Sequence, residues 1–310
     1  MKLVIQVPAW NEEESLPATL ASLPRQVPGF ESVEIVVVDD GSRDGTARVA
    51  RENGAAVVSL PLHRGLAAAF LAGLATALER GADVVVNTDA DGQYDPGAIP
   101  DLVAPILAGK ADVVLGDRGV GTLSHFSPSK RLLQRLGSAV VRLLSGVPVF
   151  DATTGFRAFS RAAAARLNCF TTFTYTLETL IQAGNAGLMV VSVPVSASPT
   201  QRPSRLFHSN AGYIVMSLAS LVRLVLLYRP LRVLLTLGGI CLVLATVLFG
   251  RFAYFYLGDI NPAGHVQSLI AATVLGLTGV QMAVLAVLAD LIAVNRRLLD
   301  EQRSRERFRR

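Results

Sequence analysis

Cysteine is nearly absent from this chain of 310 residues: Cys169 and Cys241 are the only two. So far apart, they exclude a disulfide framework and a zinc site of ordinary spacing. Acidic residues are missing altogether between Glu178 and Asp259, whereas Arg202, Arg205, Arg223, Arg229 and Arg232 all fall in that interval. The net charge of +5 therefore leans toward the C-terminal third. This asymmetry points to an anionic partner, a membrane surface rather than nucleic acid. The apolar start, Met1 to Ile5, is too short for a signal peptide and leads straight into strand-like sequence, so the soluble part is expected to stay on the cytosolic side where it is made.

What is present begins with a regular alternation. β-Branched runs at Leu3–Val7, Val33–Val38, Ala56–Ser59, Val84–Val86 and Asp112–Gly116 are separated by helical stretches, which predicts an α/β domain with a mostly parallel sheet and helices on both faces. The first helix is expected to carry Glu12 to Glu14 in its first turn, and Ser42 or Asp44 to cap the second. A further short strand after Asp151 and a last one over Leu188–Val195 complete the sheet. Lys130–Ser145 has helical apolar spacing through Leu132, Leu136, Val140 and Leu143, a stripe expected to be core.

Carboxylates recur where these strands end. Asp39 and Asp40 follow the second, and Asp89-Ala90-Asp91-Gly92-Gln93 follows the fourth. In open α/β sheets ligands sit beyond the carboxyl ends of strands. Asp89, Asp91 and Gln93 are hard oxygen donors of the kind that hold Mg²⁺ or Mn²⁺ together with substrate phosphates. The plainer reading of the same residues is an acidic turn.

Val233–Gly250 is an 18-residue run without a charge and Ser268–Ala289 a 22-residue one, each long enough to cross a hydrocarbon core of about 30 Å. Arginines flank both outer ends, so the positive-inside rule puts both flanks in the cytoplasm. Arg223 interrupts the earlier apolar run, which is read as an interfacial helix. The expected organisation is a cytosolic domain over 1–200, a basic juxtamembrane segment over 201–230, and two membrane helices within 231–294 (about 233–255 and 267–292). A basic cytoplasmic tail over 295–310 follows, in a multi-pass protein of the inner (plasma) membrane. Gly238, Gly239, Gly276 and Gly279 allow close packing of these helices on each other or on a second copy of the chain.

Taken together, Pro8-Ala9-Trp10-Asn11-Glu12-Glu13, Val38-Asp39-Asp40-Gly41-Ser42, Asp89-Ala90-Asp91-Gly92-Gln93 and Thr154-Gly155-Phe156-Arg157 resemble the family 2 glycosyltransferases of the GT-A fold. With a membrane hairpin behind them, they resemble in particular the polyprenyl-phosphate glycosyltransferases related to dolichyl-phosphate mannose synthase. The resemblance implies a Rossmann-like GT-A domain followed by an interfacial helix and a two-helix transmembrane hairpin. It also implies a nucleotide-sugar donor, UDP-glucose or GDP-mannose, lying across the sheet edge. Pro8, Ala9, Asn11, Glu12 and Asp39 would line the nucleoside pocket, Arg64 and Gly65 would approach the diphosphate, and Asp89, Ala90, Asp91 and Gln93 would form the metal and diphosphate side. Trp10 departs from the family's usual Tyr and keeps an aromatic wall.

The acceptor implied is a polyprenyl phosphate, undecaprenyl or dolichyl. A phosphate monoester is largely a dianion near neutral pH, its second pKa being about 6, so it attacks without a general base and needs cations to bring two anions together. Arg118, Arg131 and Arg202 are the candidates, with Ser138 adding a hydroxyl, and a guanidinium forks onto two phosphate oxygens. An inverting displacement follows. Asp151 and Glu178 are expected to orient sugar hydroxyls or to support Arg157. A sugar-hydroxyl acceptor would instead require one of them as base. A processive polysaccharide synthase is disfavoured because Trp10 is the only tryptophan, and a non-catalytic scaffold because the metal motif is intact.

Overall fold

Leu3 to Ala9 are all buried in strand β1, Lys2–Ala9. A strand apolar on both faces belongs inside a parallel sheet covered twice, and in the computed structural model β1 has parallel neighbours on both sides. The structure describes residues 1–119, 128–149, 151–169, 175–196, 210–258 and 266–309. The other strands are β2 (Ser32–Asp39), β3 (Ala56–Ser59), β4 (Val84–Asn87), β5 (Val113–Asp117), β6 (Arg157–Ser160) and β7 (Val190–Pro194). They form one sheet in the order β3-β2-β1-β4-β6-β5-β7. Only β6 runs antiparallel, between β4 and β5.

Helices α1 (Leu16–Ser22), α2 (Thr46–Glu52), α3 (Leu66–Glu79), α4 (Ile99–Leu107), α5 (Pro128–Ser145), α6 (Arg161–Arg166) and α7 (Tyr175–Asn185) complete this part. Side chains alternate across a strand. Leu3, Ile5 and Val7 pack with Leu16 and Leu20 of α1 and Leu102 of α4. Val4 faces the opposite layer, with Phe70 and Leu74 of α3 and Ala183 of α7. Each such large side chain contributes roughly 1.5–3 kcal/mol on burial. The mostly parallel α/β sheet read from the sequence is the one observed.

Several local expectations are corrected. Helix α1 has no acidic residue in its first turn, because Glu12 to Glu14 lie in the turn before it. The N-cap position of α2 is held by Gly45, which has no side chain to bond, rather than by Ser42 or Asp44. The Asp44 carboxylate instead accepts the Thr46 N–H at 3.0 Å, and the Ser42 hydroxyl accepts the Asn11 N–H at 2.9 Å. On α5 the apolar residues divide: Val141 and Leu144 are core, whereas Leu132, Leu136 and Leu143 are exposed.

Helices α8 (Asn210–Tyr228), α9 (Pro230–Leu257) and α10 (Val266–Arg309) follow. The chain divides into two compact units, residues 1–221 with 300–310, and residues 222–299. Pro230–Leu257 and Val266–Arg296 are long and apolar enough to cross a membrane. In this second unit a Cβ on Gly238 would lie 3.0 Å from the Gly279 carbonyl oxygen, and one on Gly279 would lie 2.6 Å from Leu242 Cγ. These two glycines thus serve the packing of α9 on α10. Gly239 has open space instead. The tail expected to start at 295 continues as helix to Arg309, because after Gly279 the sequence holds neither glycine nor proline and is rich in Leu, Ala, Arg, Glu and Gln, all good helix formers.

Candidate active site

Strands β1, β2, β4 and β5 run parallel to one another or through shared neighbours, so Ala9, Asp39, Asn87 and Asp117 all end at the same edge. That is the edge where α/β sheets bind ligands. Four loops meet there.

The loop after β1 is fastened to the loop after β2. Asn11 adopts φ 54°, an uncommon left-handed conformation that asparagine tolerates better than most residues. Its side-chain oxygen accepts the Arg43 N–H at 2.9 Å, and the Glu12 N–H donates to Thr46 Oγ1 at 2.8 Å. Asp39 is buried, and one of its oxygens accepts the Ser42 N–H at 3.0 Å. Pro8 and Ala9 are buried below it, and Arg64 after β3 is exposed.

After β4 the chain turns sharply. Thr19 of α1 donates its hydroxyl to the Ala90 carbonyl at 2.9 Å, Gly92 takes φ 68°, and the Gln93 N–H donates to an Asp91 oxygen at 3.0 Å. The turn thus turns Asp89 and Asp91 into near neighbours. Burial, and then the negative charge of Asp91, push the Asp89 carboxyl up to about 7, against the pull of Arg118 and Arg157. Tyr94 lies stacked on Phe156 with ring centroids 5.0 Å apart. Its hydroxyl, pushed up to about 12 by burial and by Asp89, accepts the Gly155 N–H at 3.1 Å.

The Thr154–Arg157 segment gives this motif a structural reading that the sequence left open. Asn87 donates to the Gly155 carbonyl at 2.7 Å and accepts from Gln6 Nε2 at 2.8 Å. A Cβ on Gly155 would stand 2.8 and 3.0 Å from the two Asp89 oxygens and 3.1 Å from the Tyr175 hydroxyl. The Gly155 peptide is a floor under Asp89. Arg157 is fully buried and donates to the carbonyls of Ala152, Thr154 and Thr176 and to Thr179 Oγ1. Burial lowers it to about 10, still above neutral pH, so it remains charged and binds loop and helix α7 together.

Asp151 does not support Arg157 through a hydrogen bond among the described residues. It forks onto Arg118 instead, through Nε at 2.7 Å and Nη2 at 3.0 Å, and Nη2 also donates to Thr153 Oγ1 at 2.9 Å. Both side chains are over nine-tenths buried. Burial opposes both charges, but the pair prevails: Asp151 is held below the ordinary aspartate range and Arg118 above the ordinary arginine range. Ser138 is buried with its hydroxyl accepting the Ala152 N–H at 3.3 Å, so it touches the Asp151 loop. Glu178 is fully buried on α7. The Arg131 side chain and Arg202 lie outside the described residues.

A Mg²⁺ or Mn²⁺ that shares its coordination with a diphosphate needs one or two carboxylates, not a closed cage. Asp89 and Asp91 are two such carboxylates, and no group of three or more metal-holding side chains occurs among the described residues. Burial and then the Asp91 charge hold the Asp89 carboxyl up, and a cation at this pair offsets both. The donor set fits.

A doubly covered α/β sheet with paired carboxylates at its ligand edge is the arrangement expected of a GT-A-type sugar transferase. Residues 4–167 match the glycosyl transferase family 2 model, and the chain belongs to that family. It is 34% identical over 208 residues to an undecaprenyl-phosphate mannosyltransferase of Micrococcus luteus, covering 63% of this chain and 83% of that protein. It is 32% identical over 207 residues to a polyprenol monophosphomannose synthase of Mycolicibacterium smegmatis, covering 63% and 77%. Among solved structures it is similar to glucosyl-3-phosphoglycerate synthase of Mycobacterium tuberculosis in complex with Mn²⁺, UDP and glucosyl-3-phosphoglycerate. That match has a TM-score of 0.55 and 26% identity, over 71% of this chain and 79% of that one.

Proposed function

We propose that the protein transfers a hexose, with inversion, from a nucleotide sugar to a polyprenyl phosphate at a membrane. The observation that carries the acceptor is the Arg118–Asp151 fork. A hydroxyl acceptor requires a carboxylate base; of the two candidates, Glu178 is fully buried on α7, and Asp151 is spent on Arg118 and held below the ordinary range, which makes it a poor proton acceptor. A phosphate dianion needs no base. The names of the relatives from M. luteus and M. smegmatis point the same way.

In this reading Asp39, with Pro8, Ala9, Asn11 and Glu12, holds the nucleoside. Arg64 and Gly65 face the diphosphate with Ala90. Asp89, Asp91 and Gln93 would hold Mg²⁺ or Mn²⁺, which when bound neutralises charge on the departing diphosphate. Arg118, fixed by Asp151, would meet the acceptor phosphate, and Arg131, Ser138 and Arg202 are the further residues assigned to that phosphate from the sequence. The protein's share of catalysis is orientation and fixed charge. The two apolar helices α9 and α10 would anchor the chain as a multi-pass protein of the plasma membrane with its catalytic part and both termini in the cytoplasm, and a homo-oligomer through them is compatible with Gly239 facing outward.

UDP-glucose and GDP-mannose are the donors to test first. Detergent-purified protein is incubated with each of them, polyprenyl phosphate and Mn²⁺, and released nucleotide and lipid product are both measured. Lipid-linked hexose with one donor is expected. Nucleotide release that depends on a sugar-hydroxyl acceptor, with polyprenyl phosphate inert, would overturn the reading.

A further inference from the structure

Asp40 has no part in the transfer just described, yet it is one of the most heavily used carboxylates in the structure. It lies 2% exposed just beyond β2. One oxygen accepts the Arg64 N–H at 2.8 Å. The other accepts the Gly65 N–H at 2.8 Å and lies 2.8 Å from His63 Nδ1. Its own N–H donates to the Ala9 carbonyl at 2.9 Å. The His63 ring lies flat on Trp10, with centroids 4.1 Å apart and planes 22° apart. Gly41, at φ 67°, seats this loop so closely that a Cβ there would lie 2.7 Å from the His63 nitrogen.

Burying a carboxylate is costly unless its oxygens are satisfied. Asp40 does not cap α2, which begins later with Gly45 as its N-cap. Its oxygens take the Arg64 and Gly65 N–H groups that lead into α3, and the contact with His63 lies beyond what that helix start requires. What the buried charge holds is a short loop whose residues His63 and Arg64 are exposed. It joins the ends of three adjacent strands: Trp10 after β1, Asp40 after β2 and His63 after β3. An imidazole that donates from Nδ1 to Asp40 is fixed in plane and cannot swing away from the indole. A pair of stacked flat rings at the sheet edge where β2 ends in Asp39, with His63 exposed, fits a planar heterocycle.

We propose that Asp40 is a positioning residue of the donor side, which locks His63 against Trp10 and the His63–Gly65 backbone in place for the nucleoside diphosphate. The proposal rests on the nucleotide-sugar reading above. The probes are UDP and GDP with Mn²⁺, titrated calorimetrically into the full chain in detergent, followed by steady-state transfer. If the wild-type protein binds neither nucleotide, the donor reading itself falls, and this inference with it.

If it binds one, Asp40→Asn is expected to raise that Kd and the donor KM about tenfold, while kcat and the lipid-acceptor KM stay within about twofold. His63→Phe, which keeps a ring but not the N–H, is expected to lie between. An unchanged donor Kd in Asp40→Asn overturns the proposal, as does a parallel fall of donor binding, kcat and thermal stability. Should Asp40→Asn fail to fold, His63→Ala decides: it removes only a half-exposed ring, so a raised donor Kd supports the proposal and an unchanged one overturns it.

Discussion

The α-carbon of Gly155 faces the carboxylate of Asp89 so closely that a methyl group there would stand 2.8 and 3.0 Å from its two oxygens. Gly155 cannot retreat, since its N–H is bound to Tyr94 and its carbonyl to Asn87. Gly155→Ala should therefore displace Asp89 rather than the backbone. Overpacking of this kind costs about 1–3 kcal/mol. Transfer is expected to fall at least about tenfold and Mn²⁺ binding to weaken, with the fold retained by circular dichroism; an Ala variant with wild-type turnover would refute the floor.

Asp89 must lose its proton to ligate a cation, and without one its carboxyl is raised to about 7 by burial and Asp91. Metal affinity should thus rise with pH up to and somewhat above 7, with a proton released on binding. The same shift has a stability consequence. A raised carboxyl favours the folded state below the unfolded value near 3.8 and loses that advantage as pH rises through about 7. Asp89→Asn is expected to flatten the metal profile around pH 7, measured by Mn²⁺ titration, and the stability profile between the unfolded value of 3.8 and about 7, measured by thermal melts in metal-free buffer.

Removing one partner of a buried ion pair leaves the other charge uncompensated, at a cost of about 3–5 kcal/mol. Asp151→Asn is expected to approach that loss in denaturant unfolding, whereas the double variant Asp151→Leu with Arg118→Met should recover part of it and remain inactive. Because Asp151 is depressed below its ordinary value, its stabilising share is present above the unfolded value and vanishes only in acid, as pH falls through the folded one. Wild-type-like stability in Asp151→Asn at pH 7 would argue against the pair.

On the helix pair, a Cβ at Gly279 would stand 2.6 Å from Leu242 Cγ and 2.9 Å from the Gly238 carbonyl. Gly279→Val should push α9 and α10 apart and shorten the half-life of thermal inactivation in detergent severalfold. Gly239→Val, at a position with open space, should not.

The alternation of strand and helix was readable because β-branched runs such as Ile35–Val38 and Val84–Val86 are fully buried in strands flanked by turn residues, and that pattern is local. The carboxylates at strand ends were readable for the same reason. Harder were the partners. Asp151 stands six residues from Arg157 in sequence, yet its carboxylate forks onto Arg118, 33 residues back, because β6 pairs antiparallel with β5 and carries the preceding loop to the end of β5. Trp10 was recognised as an aromatic wall, but its stack on His63, 53 positions on, is made only where β1, β2 and β3 come together.

By itself the sequence determined the α/β class, the apolar helices and the acidic turn at Asp89 and Asp91, since each depends on neighbours within a few residues. The tertiary structure decided which charges meet. Gly155 under Asp89, Asp151 on Arg118 and Asp40 under the His63 loop are contacts across the sheet edge, set by strand order and by burial, which obliges every enclosed carboxylate to find a donor or a cation.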